Sequence, residues 1–162
     1  MSISIRFARP EDAEIIVHFV RELASFGGDS GAVEVTGETM RKQMQSDAPP
    51  FESVVAENDG KPVGFALFFY TYSTWRGRPG MRLEDLFVPE EHRGQGIGRA
   101  LLAYLGEIAV ERRYARMEWT VLNWNTQAQD FYRSLGAAPL EDRHVWRLND
   151  SDLAHKSTKR TS

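Results

Sequence analysis

The chain has 162 residues, 41% hydrophobic and 27% charged, with a formal net charge of −3. That length supports one domain with a real core, and the slight negative charge offers no general attraction to nucleic acid. Cysteine is absent, which excludes disulfides, thiolate metal sites and cysteine nucleophiles.

The N-terminal stretch is charged too early and too often for a secretory signal. No apolar run approaches the roughly 20 residues of a membrane span. The expectation is a cytoplasmic protein with neither a membrane nor a nucleic acid partner. Ile3, Ile5 and Phe7 alternate with polar residues, as in a half-buried strand. A helix follows, with Pro10 and early acids at its start and Ile15 or Ile16, Phe19, Leu23 and Phe26 at helical spacing. After a glycine-rich loop, a second helix is predicted from residue 36 to about 46, ended by Pro49 and Pro50. Residues 52–73 read as two strands around the hairpin turn Asn58-Asp59-Gly60, and residues 81–88, "MRLEDLFV", as a third strand stopped by Pro89. A helix from about 96 to 113 carries Ile97, Leu101, Leu105 and Ile108 on one stripe. A strand at 115–122, a short helix from 126 closed by Gly136 and a last strand at 143–148 follow. The order β-α-α-β-β-β-α-β-α-β describes an α/β chain of the α+β kind: a mixed sheet with helices on both faces, one domain over residues 1–149. The polar tail, 150–162, is expected to be disordered.

Three glycines, Gly94, Gly96 and Gly98, fall within five residues directly after a strand and before a helix. Glycine weakens a helix by about 1 kcal/mol relative to alanine, so its use at a helix start implies that the backbone touches something. An anion such as phosphate suits the unpaired first amides and the helix dipole. The dinucleotide fingerprint would need glycine in place of Arg99, and a P-loop would need Gly-Lys followed by Ser or Thr. A ligand-free tight turn explains the glycines equally well, but Arg93 and Arg99 flanking the amides favour a diphosphate.

Further along, Glu84 and Asp85 are neighbours on one strand. A regular strand sends them to opposite faces, so both serve one pocket only if the strand is bulged. Otherwise they are rim charges on a strand end. On the helix from 126, residues 125, 129 and 132 share a face, opposite Ala128, Phe131 and Leu135. On spacing alone Tyr132 is as well explained by packing. Tyr70, Tyr72 and Trp75 suit an amine pocket by cation–π attraction, or equally a core or an interface. The four histidines have no metal-ligand spacing.

"RGQGIG" between an acidic-apolar strand and an amphipathic helix resembles the pyrophosphate loop of the GNAT superfamily of acetyl-CoA-dependent N-acetyltransferases, whose pattern Arg93, Gly96 and Gly98 meet. "FFYTYSTWRGRPGMRLEDLFV" and "EWTVLNWNTQAQDFY" resemble its diamine acetyltransferase branch, the spermidine/spermine and thialysine acetyltransferases. The resemblance spans residues 3–148 and implies a GNAT fold, acetyl-CoA as co-substrate, no metal and a homodimer whose partner helps form the cleft. It implies acetyl transfer to a primary amine of a small cation (a diamine, polyamine or lysine analogue) by direct attack in a ternary complex. The loop of Arg93, Gly94, Gln95, Gly96, Ile97, Gly98 and Arg99 would hold the diphosphate. A bulged strand would offer the pantetheine arm its backbone at Leu86, Phe87 and Val88. Glu84 would take the amine proton through water, and Asp85, with Tyr72 and Trp75, would hold the cation. Tyr132 would protonate the thiolate, and Asn125 would bond the cofactor arm. Gly27 and Gly28 stand where the branch carries an acidic anchor for a polyamine's far end, and Ala128 where some members carry serine. Other readings are an acetyltransferase for a protein lysine or N-terminus or for an aminoglycoside-type antibiotic, or a CoA-binding module without catalysis.

Overall fold

The apolar and alternating stretches of the first 87 residues find one another as strands of a single sheet. The computed structural model describes residues 2–156. The chain divides into two compact units, one ending at Thr120 and the other beginning at Val121. The first contains β1 (Ile3–Phe7), α1 (Ala13–Phe26), α2 (Gly37–Met44), β2 (Glu52–Asn58), β3 (Lys61–Ser73), β4 (Arg78–Phe87), α3 (Ile97–Glu111) and β5 (Met117–Glu118). Its sheet runs β1-β2-β3-β4-β5, antiparallel except for the parallel β4–β5 pair. The β2–β3 hairpin turns at Asp59 and Gly60, with φ of 51° and 81°. Two left-handed residues match the twist of the flanking strands.

Each face of the sheet buries its own cluster. Ala66, Phe68, Met81 and Leu83 pack with Ile97, Leu101 and Leu105 of α3. Val55, Phe65, Leu67 and Phe87 pack with Ile16, Val17 and Phe19 of α1 and Met40 of α2. The entry to α1 is held by charge. Arg6 Nη1 and Nη2 donate to the two oxygens of the buried Asp12 carboxylate at 2.8 and 2.9 Å, and the Arg9 N–H adds a bond of 2.7 Å. Arg6 Nε also donates to Glu57 of β2. Asp12 is thereby held below the usual carboxylate range, first by the Arg6 hydrogen bond.

The second unit contains α4 (Thr126–Ser134) and α5 (Asp150–Lys156). Three expectations are corrected here. The strand expected at 115–122 is reduced to Met117–Glu118. The strand expected at 143–148 is absent, and Val145 and Trp146 are 75% and 91% exposed. Alternation supplies a face but not a partner, and an unpaired strand leaves its N–H and C=O groups to water. Residues 150–156 are helical rather than unstructured, because Asp150 and Asp152 sit in the first turn and Asp152 Oδ2 accepts from the Asn149 N–H at 3.4 Å. The remainder of the expected tail, 157–162, lies outside the described residues.

Candidate active site

The pairing of β3 with β4 slips once. Phe68 faces Leu83, but Leu67 faces Asp85, so Glu84 is the extra residue of a bulge. Side chains paired across strands share a face. Leu83, opposite Phe68, lies in the α3 cluster, whereas Asp85, opposite Leu67, lies on the α1 face together with Phe87. In the regular alternation Glu84 already points away from Leu83, towards α1. The bulge therefore brings two consecutive carboxylates to one face, as the sequence required for a shared pocket.

The two carboxylates have different surroundings. Glu84 is exposed, while Asp85 is half-buried. Burial pushes the Asp85 carboxyl up to about 6, with the Glu84 charge adding to the effect. A buried carboxyl beside a second one resists ionisation, because charge is poorly solvated there and repelled.

The bulge also coincides with the parting of β4 from β5. Met81 pairs with Met117 and Arg82 with Glu118, and among the described residues β5 pairs with nothing beyond. The outer edge of β4 at Leu86 and Phe87, with Val88 just beyond it, is left without a β5 neighbour. It offers backbone groups to an extended ligand.

Past β4 the chain makes a single 3-10 turn, Glu90–His92, and reaches the glycine loop. Gly94 and Gly96 have φ of 78° and 81°, left-handed values that favour glycine. Gly96 is the N-cap of α3 and gives no side-chain cap, and no acceptor among the described residues takes the N–H groups of 94–99. Gln95 and Arg99 are exposed, and Ile97 is buried as the helix's first core contact. Arg93 departs from expectation. Its Nε donates to Val88 O at 2.8 Å, and its guanidinium carbon lies 5.7 Å from the Phe26 ring centre and 5.8 Å from that of Phe87. The side chain turns to the α1 face instead of reaching towards the loop amides.

Within the second unit, Asn125 is the N-cap of α4, its Oδ1 accepting from the Ala128 N–H at 3.2 Å. Its Nδ2 remains the end able to donate. Tyr132 lies two turns on, half-buried, and burial pushes its hydroxyl pKa up. A hydroxyl shifted in that direction stays protonated at neutral pH and is a donor.

Tyr72 and Trp75 do not join Asp85. Tyr70 faces Met81 and Tyr72 faces Pro79, both before the bulge and on the α3 side of the sheet, whereas Asp85 lies after the change of face. Trp75, in the turn between β3 and β4, is 98% exposed. The Asn125 cap, the Arg6–Asp12–Glu57 cluster and the Arg93 stack were not read from sequence. The first had a signal, Asn directly before a helical run. The other two join residues far apart in the chain. Among the described residues no group of three metal-ligating side chains occurs, and no helix is long and apolar enough to cross a membrane.

The residues that build this bulged, parted strand and glycine turn fall within the match to a family model, the acetyltransferase (GNAT) family, over residues 19–137. The chain belongs to the GNAT acetyltransferase family. Among curated GNAT relatives, it is 35% identical over 152 residues to a thialysine N-epsilon-acetyltransferase of Bos taurus, with 89% of each chain covered. It is 34% identical to the human spermidine/spermine N(1)-acetyltransferase-like protein 1, covering 92% of this chain and 23% of that longer one. Among solved structures, an integron cassette protein from the mobile metagenome of V. cholerae superposes with a TM-score of 0.80 at 25% identity, covering 97% and 99% of the two chains. These matches place the enzyme in the diamine acetyltransferase branch of the GNAT family and agree with its mixed five-stranded sheet.

Proposed function

We propose that this GNAT enzyme moves the acetyl group of acetyl-CoA to a primary amine of a small cation, a diamine, polyamine or lysine analogue, in a ternary complex. The observation that carries the reading is the bulge at Glu84. It turns two carboxylates to one face at the point where β4 leaves β5. The amides of 94–99, without a protein acceptor, fit a diphosphate, and the edge of β4 at Leu86 and Phe87, with the N–H of Val88 just beyond, fits an extended amide-bearing arm.

Acetyl-CoA supplies an activated thioester carbonyl. An amine of lysine type has a pKa near 10.4, so it must lose a proton before it attacks. Asp85, when ionised, holds the ammonium. Glu84, open to water, takes the proton through the solvent. Tyr132 donates from its hydroxyl to the departing sulfur, and the Asn125 Nδ2 bonds the cofactor arm. The acetyl–sulfur bond breaks as the acetyl–nitrogen bond forms, and the second proton shed by that nitrogen restores the Tyr132 hydroxyl. A cytoplasmic location and a homodimer, with a single catalytic domain over residues 1–149, belong to the same proposal. In that dimer the second copy covers the aromatic hairpin of Tyr70, Tyr72 and Trp75 and brings it to a cleft.

Coenzyme A release measured with acetyl-CoA and a panel of thialysine, ornithine, putrescine, spermidine, spermine, an aminoglycoside and a lysine peptide tests the reading. Turnover is expected for the small amines, with spermine the poorest polyamine because Gly27 and Gly28 supply no carboxylate for a second ammonium. One such exposed ion pair is worth about 1 kcal/mol, a roughly fivefold effect. Release with only the peptide or the aminoglycoside would replace the substrate class, and no release with any acceptor would reject the enzyme reading.

A further inference from the structure

Arg93 stands at the mouth of the loop expected to hold the diphosphate, yet its side chain is committed elsewhere. Its Nε is spent on Val88 O, and its guanidinium lies against two rings. One ring, Phe26, is the last residue of α1 and is 52% exposed; the other, Phe87, is the last of β4 and is buried. Phe87 in turn packs on Phe19, whose ring stacks on Phe65. Arg93 thus joins three things: the first residue of the loop, the end of the bulged strand and the end of α1.

The far side of this contact needs an anchor. α1 runs directly into Gly27 and Gly28, the latter at φ 79°, so the chain leaves the helix through two residues without side chains. Phe26 and Arg93 line one cleft of about 560 Å³ together with His18, Glu22 and Phe87, on the same sheet face as Asp85. A planar guanidinium over a ring holds orientation as well as charge, which a lysine ammonium does not.

We propose that Arg93 is a positioning residue, a strut that ties the phosphate loop to the end of α1, and that it grips Phe26 and not a phosphate. Filling the loop amides with the coenzyme diphosphate then orders Phe26, a wall of the acceptor face. The coupling rests on the acetyl-transfer reading, whereas the strut does not.

Hydrogen exchange over residues 23–29 reads the strut directly, with and without coenzyme A, in the wild type, Arg93→Lys, Arg93→Met and Phe26→Leu. In the wild type, coenzyme A is expected to slow exchange in this segment roughly threefold or more. In both Arg93 variants the segment exchanges faster and no longer responds. Their coenzyme A affinity by calorimetry stays within about twofold, with an unchanged salt dependence, while KM for the amine rises about fivefold. Adding Phe26→Leu to Arg93→Met adds no further loss, as expected for two ends of one contact. A large loss of coenzyme A affinity in Arg93→Met that Arg93→Lys restores would make Arg93 a phosphate ligand and overturn the proposal. So would wild-type exchange at 23–29 in both Arg93 variants. A wild type that shows the exchange pattern but acetylates no amine would uphold the strut and remove the proposed function.

Discussion

Two side chains divide the proton traffic of the proposed reaction and a third holds the ammonium, and each leaves a different signature. Tyr132→Phe keeps the ring and removes the donor. Loss of a general acid costs about 10²–10⁴-fold, or roughly 3–5 kcal/mol of barrier, and belongs in kcat with acetyl-CoA affinity unchanged. Glu84→Gln leaves the enzyme dependent on amine already neutral in solution, so its rate recovers as pH approaches the amine's pKa; Tyr132→Phe shows no such rescue. Identical pH profiles for the two variants would reverse these assignments. Asp85 has its own window. It keeps its proton up to about pH 6 in the folded chain, against an ordinary 3.8. The native state therefore binds more protons between those values, and stability falls as pH rises through the window. Asp85→Asn should raise Tm at pH 7 and flatten that dependence. It should also abolish the rise in amine KM that the wild type shows below about pH 6, where Asp85 loses its charge. A Tm lowered at pH 7 would show that the carboxylate is structural.

At the scale of elements, a turn and a cluster carry separate predictions. Gly96 and Gly60 share a φ of 81° and open surroundings, so a valine strains both backbones alike, by about 1–3 kcal/mol. Gly96→Val should weaken coenzyme A binding by about tenfold or more, whereas Gly60→Val should melt lower with coenzyme A affinity intact. Equal affinities in calorimetry would free the loop of its role. Asp12→Ala removes the carboxylate that Arg6 and the Arg9 N–H share, at a cost of about 2–3 kcal/mol in urea unfolding. The lowered pKa of Asp12 sets the sign: its contribution is full above the ordinary value of 3.8 and is lost as pH falls through the folded one. Destabilisation should therefore shrink in acid. Most of this was legible in part. Apolar spacing placed α1, α3 and β1, the Asn58-Asp59-Gly60 turn placed β2 and β3, and prolines bounded α2 and β4, each within a few residues, because these signals are local. The absence of the strand expected at 143–148 was not legible, because alternation says nothing about whether an edge lies within reach.

For the whole molecule, the aromatic hairpin is the unsettled surface. Tyr70, Tyr72 and Trp75 expose large rings where β3 and β4 run past the end of β2. An exposed aromatic patch suits a partner surface, and the proposed partner is a second copy. Light scattering at micromolar concentration should report twice the protomer mass, and Trp75→Ala with Tyr72→Ala should halve it. A wild-type monomer at high micromolar concentration would leave the rings without that explanation.

The residue types for the chemistry, the glycine spacing and the family resemblance are local properties, and short-range sterics and motif spacing write them into the sequence. Glu84 and Asp85 were readable as candidates, and so was the condition that both share a pocket only on a bulged strand. Whether the strand bulges depends on its register against β3, set by Leu67, Phe68 and Leu83 finding opposite faces of the sheet. That choice also removed Tyr72 from the side where Asp85 lies. The turning of Arg93 towards Phe26 was equally invisible, because residues 67 positions apart meet only once α1 and β4 have packed. Spacing along the chain decides which groups exist; long-range packing decides which of them face each other.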